Sequence, residues 1–187
     1  AHMAESERGA DEGDGSERLT PRLMGDEGQA GCVDILDARV LLFPVRTSHR
    51  IFHWITCPFV LRRYAADHAA FTGAPAPATL PEVQKAGFCG GGALPRPATG
   101  NEVRLMVEEF ELVQQADESS WTLPASISGA LPDCPDDRVL LVSDEWFFYF
   151  VTYATLIEQH NRLTTAKTVA DGQLFTVESV PPETVFY

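Results

Sequence analysis

No stretch of this sequence approaches the roughly 18 to 20 consecutive apolar residues that a helix needs to cross a bilayer. The longest apolar segment, around Trp146 to Ile157, is interrupted by threonine and tyrosine. The N-terminus lacks the apolar stretch of a secretory signal. Cys32, Cys57, Cys89 and Cys134 stand far apart, and no CxxC pair suggests zinc. Free thiols in a cytoplasmic protein are therefore the expectation. The run Gly90-Gly91-Gly92 is followed by neither the lysine nor the helix pattern of a phosphate-binding loop, so a flexible hinge is the simpler reading. No nucleophile elbow and no classical RNA-binding signature is present. Positive charge is scarce: 14 Lys and Arg face 27 Asp and Glu, a formal net charge of -13. A uniformly basic surface for nucleic acid is thereby excluded.

That scarcity makes one window conspicuous. Ile35 to Arg63 holds Arg39, Arg46, Arg50, Arg62 and Arg63 together with His49 and His53, and no acid follows Asp37 until Asp67. A cationic window in an acidic chain is a candidate footprint for a polyanion. By contrast, residues 1–31 carry eight acids against three arginines and few large apolar side chains. Such a segment cannot offset its ordering entropy by burial, so residues 1–31 read as a disordered acidic tail whose Ala1-His2-Met3 start looks like a vector remnant.

The remainder, 32–187, is rich enough in apolar residues for one α+β domain. Val33 to Val45 and Arg50 to Thr56 read as strands around a short polar loop, with Pro44 confined to an edge or bulge. Pro58 suits a first helical turn capped by Thr56. Gly73 to Gly100, with five prolines and the glycine run, reads as a long loop or extension. Glu102 to Val113 alternates as one strand, which would place Glu109 and Glu111 on a common face. Arg138 to Val142 is a short buried strand. Ser143 then caps a helix that runs to about Ile157 and is apolar nearly all round, so it should pack on more than one side. A hairpin-like pair spanning His160 to Val177 follows. The ending Val185-Phe186-Tyr187 reads as a chain cut inside a strand.

Three chemistries compete at this point. Cys57 before a helix could be an activated thiol, or an inert thiol at a strand-to-helix junction. Glu109 and Glu111 could be paired carboxylates, or charges at a strand end. His160-Asn161-Arg162 could touch a phosphate, or lie on the outer side of a strand.

Five segments in order resemble one known family: ILDARVLLFPVR (Ile35 to Arg46), WITCPFVLRR (Trp54 to Arg63), MVEEFEL (Met106 to Leu112), LVSDEWF (Leu141 to Phe147) and DGQLFTVESVPPETVFY (Asp171 to Tyr187). Together they look like the RAMP-superfamily backbone subunit of the type III-B CRISPR effector, the fourth Cmr subunit, over Ala30 to Tyr187. The resemblance implies a partial ferredoxin-like (RRM-related) core with 73–100 as a thumb-like extension. It implies CRISPR guide RNA and target RNA as partners, beside other Cmr subunits and further copies of the chain itself, in the cytoplasm and with no membrane. The family's subunit cleaves target RNA with a divalent metal, using an aspartate on a loop near its N-terminus. That loop has no counterpart before Ala30, and a glycine-rich segment expected after Tyr187 is missing too. A middle portion, inactive as a nuclease and binding no cofactor of its own, is therefore expected. His49-Arg50 stands where the family has Lys-Gly. Arg46, His49 and Arg50 are the expected contacts to RNA phosphates, with Arg62 and Arg63 second. A protein-interaction module without RNA, and an enzyme using Cys57 or the Glu109/Glu111 pair, are the rival readings.

Overall fold

The computed structural model describes residues 23–33, 36–73, 80–92, 94–95, 102–115, 121–131, 135–163, 165–167 and 169–187. They fall into two compact units divided between Ala38 and Arg39. In the first, β1 (Gly25–Asp26) pairs antiparallel with β2 (Gln29–Ala30), and the amides of Cys32 and Val33 donate to the Leu23 carbonyl. The tail expected over 1–31 thus ends in a small hairpin. The rest of that expectation, residues 1–22, lies outside the described residues.

The second unit is a curled mixed sheet with helices, an α+β arrangement. Its strands are β3 (Val40–Val45), β4 (His53–Thr56), β5 (Gly87–Gly90), β6 (Arg104–Val107), β7 (Phe110–Gln114), β8 (Val139–Val142) and β11 (Val185–Phe186). They lie in the order β11-β3-β4-β8-β5-β7-β6. β4 runs parallel to β8, and β5 parallel to β7; the other neighbours are antiparallel. Leu41, Leu42, Phe43 and Val45 of β3 are all buried, as is every residue of β8. Continuous apolar runs of this kind belong to strands covered on both faces. Pro44 stands opposite Trp54, while β11 pairs with β3 only as far as Leu42. The proline therefore meets an unpaired flank of β3, where its missing N–H costs no ladder bond.

α1 (Pro58–Thr72) buries Val60, Leu61 and Ala65 at the expected helical spacing. Its N-cap is Cys57 rather than Thr56, and no side chain of its own caps it. The Asp144 carboxylate supplies the cap from α3 (Asp144–Tyr153) by accepting from the Phe59 amide at 2.8 Å. α3 begins as expected, with the Ser143 hydroxyl accepting from the Trp146 amide at 3.3 Å. It ends at Tyr153, earlier than the sequence pattern implied, and buries only Phe147 and Phe150. Phe148 and Tyr153 are 49% and 70% exposed, so the expectation of packing on several sides fails for this aromatic helix. A short helix, α2 (Ala125–Ser128), precedes β8.

Two further expectations change. Gly87–Gly90, inside the supposed loop 73–100, is a fully buried strand between β8 and β7. Gly90, Gly91 and Gly92 all have positive φ, and an added Cβ would lie 2.7 Å from Leu140 at Gly91 and 2.7 Å from Asp137 at Gly92. The glycine run is packed backbone rather than a hinge. The supposed strand over Glu102 to Val113 is a hairpin, β6 and β7, joined by Glu108-Glu109 with Glu108 at φ 50. The turn resets the alternation, so Leu105, Val107 and Leu112 are buried while Met106 is exposed.

The sheet curls until its far strand meets the chain leaving β3. Thr47 bridges Val107, the Ser48 amide donates to the Met106 carbonyl at 3.0 Å, and the Glu108 amide donates to the Arg46 carbonyl at 2.9 Å. Outside this sheet, β9 (Leu156–Leu163) and β10 (Val169–Ser179) form their own antiparallel ribbon. Among the described residues no helix is long and apolar enough to cross a membrane.

Candidate functional site

The β3–β4 connection carries three of the five expected RNA contacts, Arg46, His49 and Arg50. Local polar bonds shape it. The Thr47 hydroxyl donates to the Arg50 carbonyl at 3.2 Å and lies 2.7 Å from His53 Nδ1. His53, the first residue of β4, is fully buried beneath the loop, and its Nε2 has no partner among the described residues. Burial first, then the charges of Arg50 and His49, lower its pKa to about 4, so the imidazole is neutral at pH 7. His49 above it is exposed, and the two rings are 6.3 Å apart.

The arginines of the basic window are not free cations. Arg39 pairs with Asp67 at 2.8 Å, Arg46 with Glu108 at 2.6 Å, Arg50 with Asp137 at 2.6 Å and Arg62 with Asp144 at 3.6 Å. Each carboxylate comes from outside the window, which is why the sequence shows a charge anomaly that the folded surface largely neutralises. Arg63 is held differently. Its Nε donates to the Tyr187 hydroxyl at 3.0 Å, and its guanidinium lies 5.6 Å from the Phe59 ring centre and 5.9 Å from that of Tyr187. The Tyr187 hydroxyl in turn donates to Asp67 at 3.1 Å. Arg63 therefore helps to anchor the last strand to α1.

Glu108 is the residue that sequence reasoning missed. The sequence singles out its neighbours Glu109 and Glu111 instead, yet the Glu108 side chain is only 7% exposed. It accepts from the Arg46 amide at 2.7 Å and from Arg46 Nε at 2.8 Å. Arg46 itself keeps 85% of its side-chain exposure, so the outer part of its guanidinium still faces solvent. No periodic signal marks Glu108, because its role depends on a turn that the alternation concealed.

The enzyme candidates separate. Burial pushes the Cys57 thiol up to about 12, the opposite of activation. Glu111 pairs with Arg104 at 2.7 Å, whereas Glu109 accepts from the Tyr149 hydroxyl at 3.3 Å. The two carboxylates thus have separate partners rather than each other. His160 stacks on Phe175 in the ribbon, with ring centres 5.6 Å apart.

No family model matches the chain. Among curated proteins, the CRISPR system Cmr endoribonuclease Cmr4 of Pyrococcus furiosus is 24% identical over 166 residues, covering 85% of this chain and 54% of the relative. The chain spans about half the length of the curated relative it matches. The crystal structure of oligomeric Cmr4 from Pyrococcus furiosus matches with a TM-score of 0.56 and 19% identity, over 90% of this chain and 63% of that one. The type III-B Cmr-beta complex in its apo state matches at 0.63 with 14% identity, over 91% and 61%. The same type of complex bound to cognate target RNA matches at 0.62 with 15% identity, over 91% and 61%. The resemblance to the fourth Cmr subunit read from the five segments is borne out over part of the relatives' length, and the structural likeness is one of fold.

Proposed function

We propose that this chain is part of a type III-B CRISPR backbone subunit and that it holds guide RNA in an effector complex containing further Cmr subunits and copies of itself. The observation that carries the reading is the likeness to Cmr4 in both sequence and fold across most of this chain. The strand order supports a partial ferredoxin-like core. β4, β8 and β5 stand side by side with β4 parallel to β8, and α1 and α3 follow β4 and β8 in the chain. Residues 74–79, 93 and 96–100 of the expected extension lie outside the described residues.

Phosphate contact is assigned first to Arg46, His49 and Arg50, which share one short loop, and second to Arg62 and Arg63. The neighbouring complex bound to cognate target RNA supports RNA as the kind of ligand and not the choice of these residues. Cleavage, which the relative's name records for that protein, is assigned to no residue here. Among the described residues, no group of three or more His, Cys, Asp or Glu could hold the divalent metal that the resemblance implies. No chemical step is drawn through a metal, and a cytoplasmic setting follows from the proposal alone.

One observation favours the rival, a protein-interaction module. Phe175, Val177 and Leu156, which share one face of the ribbon by register, are 53%, 38% and 37% exposed, a surface suited to a protein partner. Titration of labelled single-stranded RNA at several salt concentrations separates the two. Each phosphate contact should contribute about -0.7 to the slope of log affinity against log salt. The variant combining Arg46→Gln, His49→Gln and Arg50→Gln should lower affinity and flatten that slope. Absence of binding at low salt, or a variant that binds like the parent, would leave the protein-interaction reading standing.

A further inference from the structure

Beside the arginine loop, one end of the sheet opens into a groove of about 500 Å³, well within the range of ligand pockets. It is lined by Phe52 before β4, Glu109 of the β6–β7 turn, Tyr149 and Tyr153 of α3, and Pro182 and Glu183 before β11. Four separate segments thus contribute aromatic rings, carboxylates and a stiff proline wall to one concavity.

The charges in this groove are of one sign once its internal pair is removed. Arg46 also lines it, but its guanidinium is held by Glu108. Glu109 and Glu183 form no ion pair among the described residues. Glu109 is oriented by the Tyr149 hydroxyl at 3.3 Å, which fixes a carboxylate next to an aromatic ring. The Tyr149 and Tyr153 rings are 4.7 Å apart at 45°, and Tyr153 is 70% exposed, so ring surface remains open to an incoming group. A planar cation satisfies both features, because it stacks on phenol faces while donating two parallel hydrogen bonds to a carboxylate. A phosphate fits neither, since Glu109 and Glu183 would repel it.

We infer that this groove receives an arginine side chain from an extended segment of a protein partner. The inference is independent of RNA binding by the adjacent loop. Guanidinium suits the site better than ammonium because its flat fork matches ring and carboxylate together. The prolines at 181 and 182 stiffen the wall along which an extended segment would run.

The test is titration of the isotopically labelled full chain, followed by amide NMR, with the peptide acetyl-Gly-Arg-Gly-amide and its citrulline counterpart. Citrulline keeps the flat shape and the Nε–H/NH2 donor edge, but a carbonyl acceptor replaces the other amino group and the charge is gone. The arginine peptide should shift groove resonances at Glu109, Tyr153 and Glu183 and bind at least about tenfold more tightly than citrulline, a difference of about 1.4 kcal/mol. Glu109→Gln and Tyr153→Ala, both at exposed positions, should each weaken arginine binding severalfold while leaving the spectrum of the folded core unchanged. Equal binding of the two peptides, no binding, or full affinity in both variants would overturn the assignment.

Discussion

His53 shows how one buried titratable residue can set the pH range of the whole chain. Its folded pKa of about 4 lies below the ordinary histidine value, so the folded state binds fewer protons than the unfolded one between those limits. Stability from this residue is fully present above about pH 6.5 and is lost as pH falls toward 4, by at most about 3 kcal/mol. Denaturant unfolding across pH 4 to 8 checks this, with His53→Gln as the comparison. The variant should be less stable at pH 7 yet lack this component of the acid slope; identical slopes in both proteins would refute the assignment. The sequence offered His53 only as part of a basic window. Its burial follows from its being the first residue of a fully covered strand, which becomes visible only when β4 is flanked by β3 and β8. Cys57 was legible as an inert junction thiol because it precedes Pro58, and a strand-to-helix junction buries what it carries.

At the scale of elements, the cap of α1 is the sharpest difference between pattern and structure. Thr56 has the right chemistry one position too early, and its hydroxyl is buried without a partner among the described residues. Asp144 does the capping from another helix. Asp144→Ala should therefore cost about 1 to 2 kcal/mol, with Asp144→Asn recovering part of it because the amide oxygen still accepts. Thr56→Val should be neutral or slightly stabilising, since it removes an unsatisfied buried hydroxyl. Thermal unfolding of the three variants decides; a large loss at Thr56 and none at Asp144 would restore the local cap. Strands β3 and β8 were readable because doubly covered strands carry unbroken apolar runs. Ser143 was readable because its capping partners are adjacent in sequence. β5 was not, since Gly87-Phe88-Cys89-Gly90 has neither alternation nor β-branched residues, and only its neighbours in the sheet make it a strand. The β6–β7 turn was hidden for a related reason. Glu108-Glu109 lacks the glycine or asparagine that usually marks a positive φ.

For the whole molecule, the seam between the β3–β4 loop and β6 closes the curled sheet and protects an edge that would otherwise be open to pairing. Glu108 fastens it, so Glu108→Gln should destabilise the chain by about 1 to 2 kcal/mol through weaker bonds to Arg46. Hydrogen exchange at the Ser48 and Glu108 amides should accelerate more than at β8 amides; uniform acceleration would mean that the seam is not a separate unit. The curl itself was not legible, because it depends on residues some sixty positions apart, as in the Arg46–Glu108 pair. The family resemblance reached the fold by another route, through segments whose order survives at 24% identity. The neutralised arginines bear on how the proposed loop would choose its ligand. Each carboxylate is tethered beside its guanidinium and acts as a resident competitor at high effective concentration. A lone phosphate must displace that competitor by itself and would rarely succeed. A polymer offering several phosphates together exchanges several carboxylates in one event, so recognition by the loop would favour long anionic chains over mononucleotides and free phosphate.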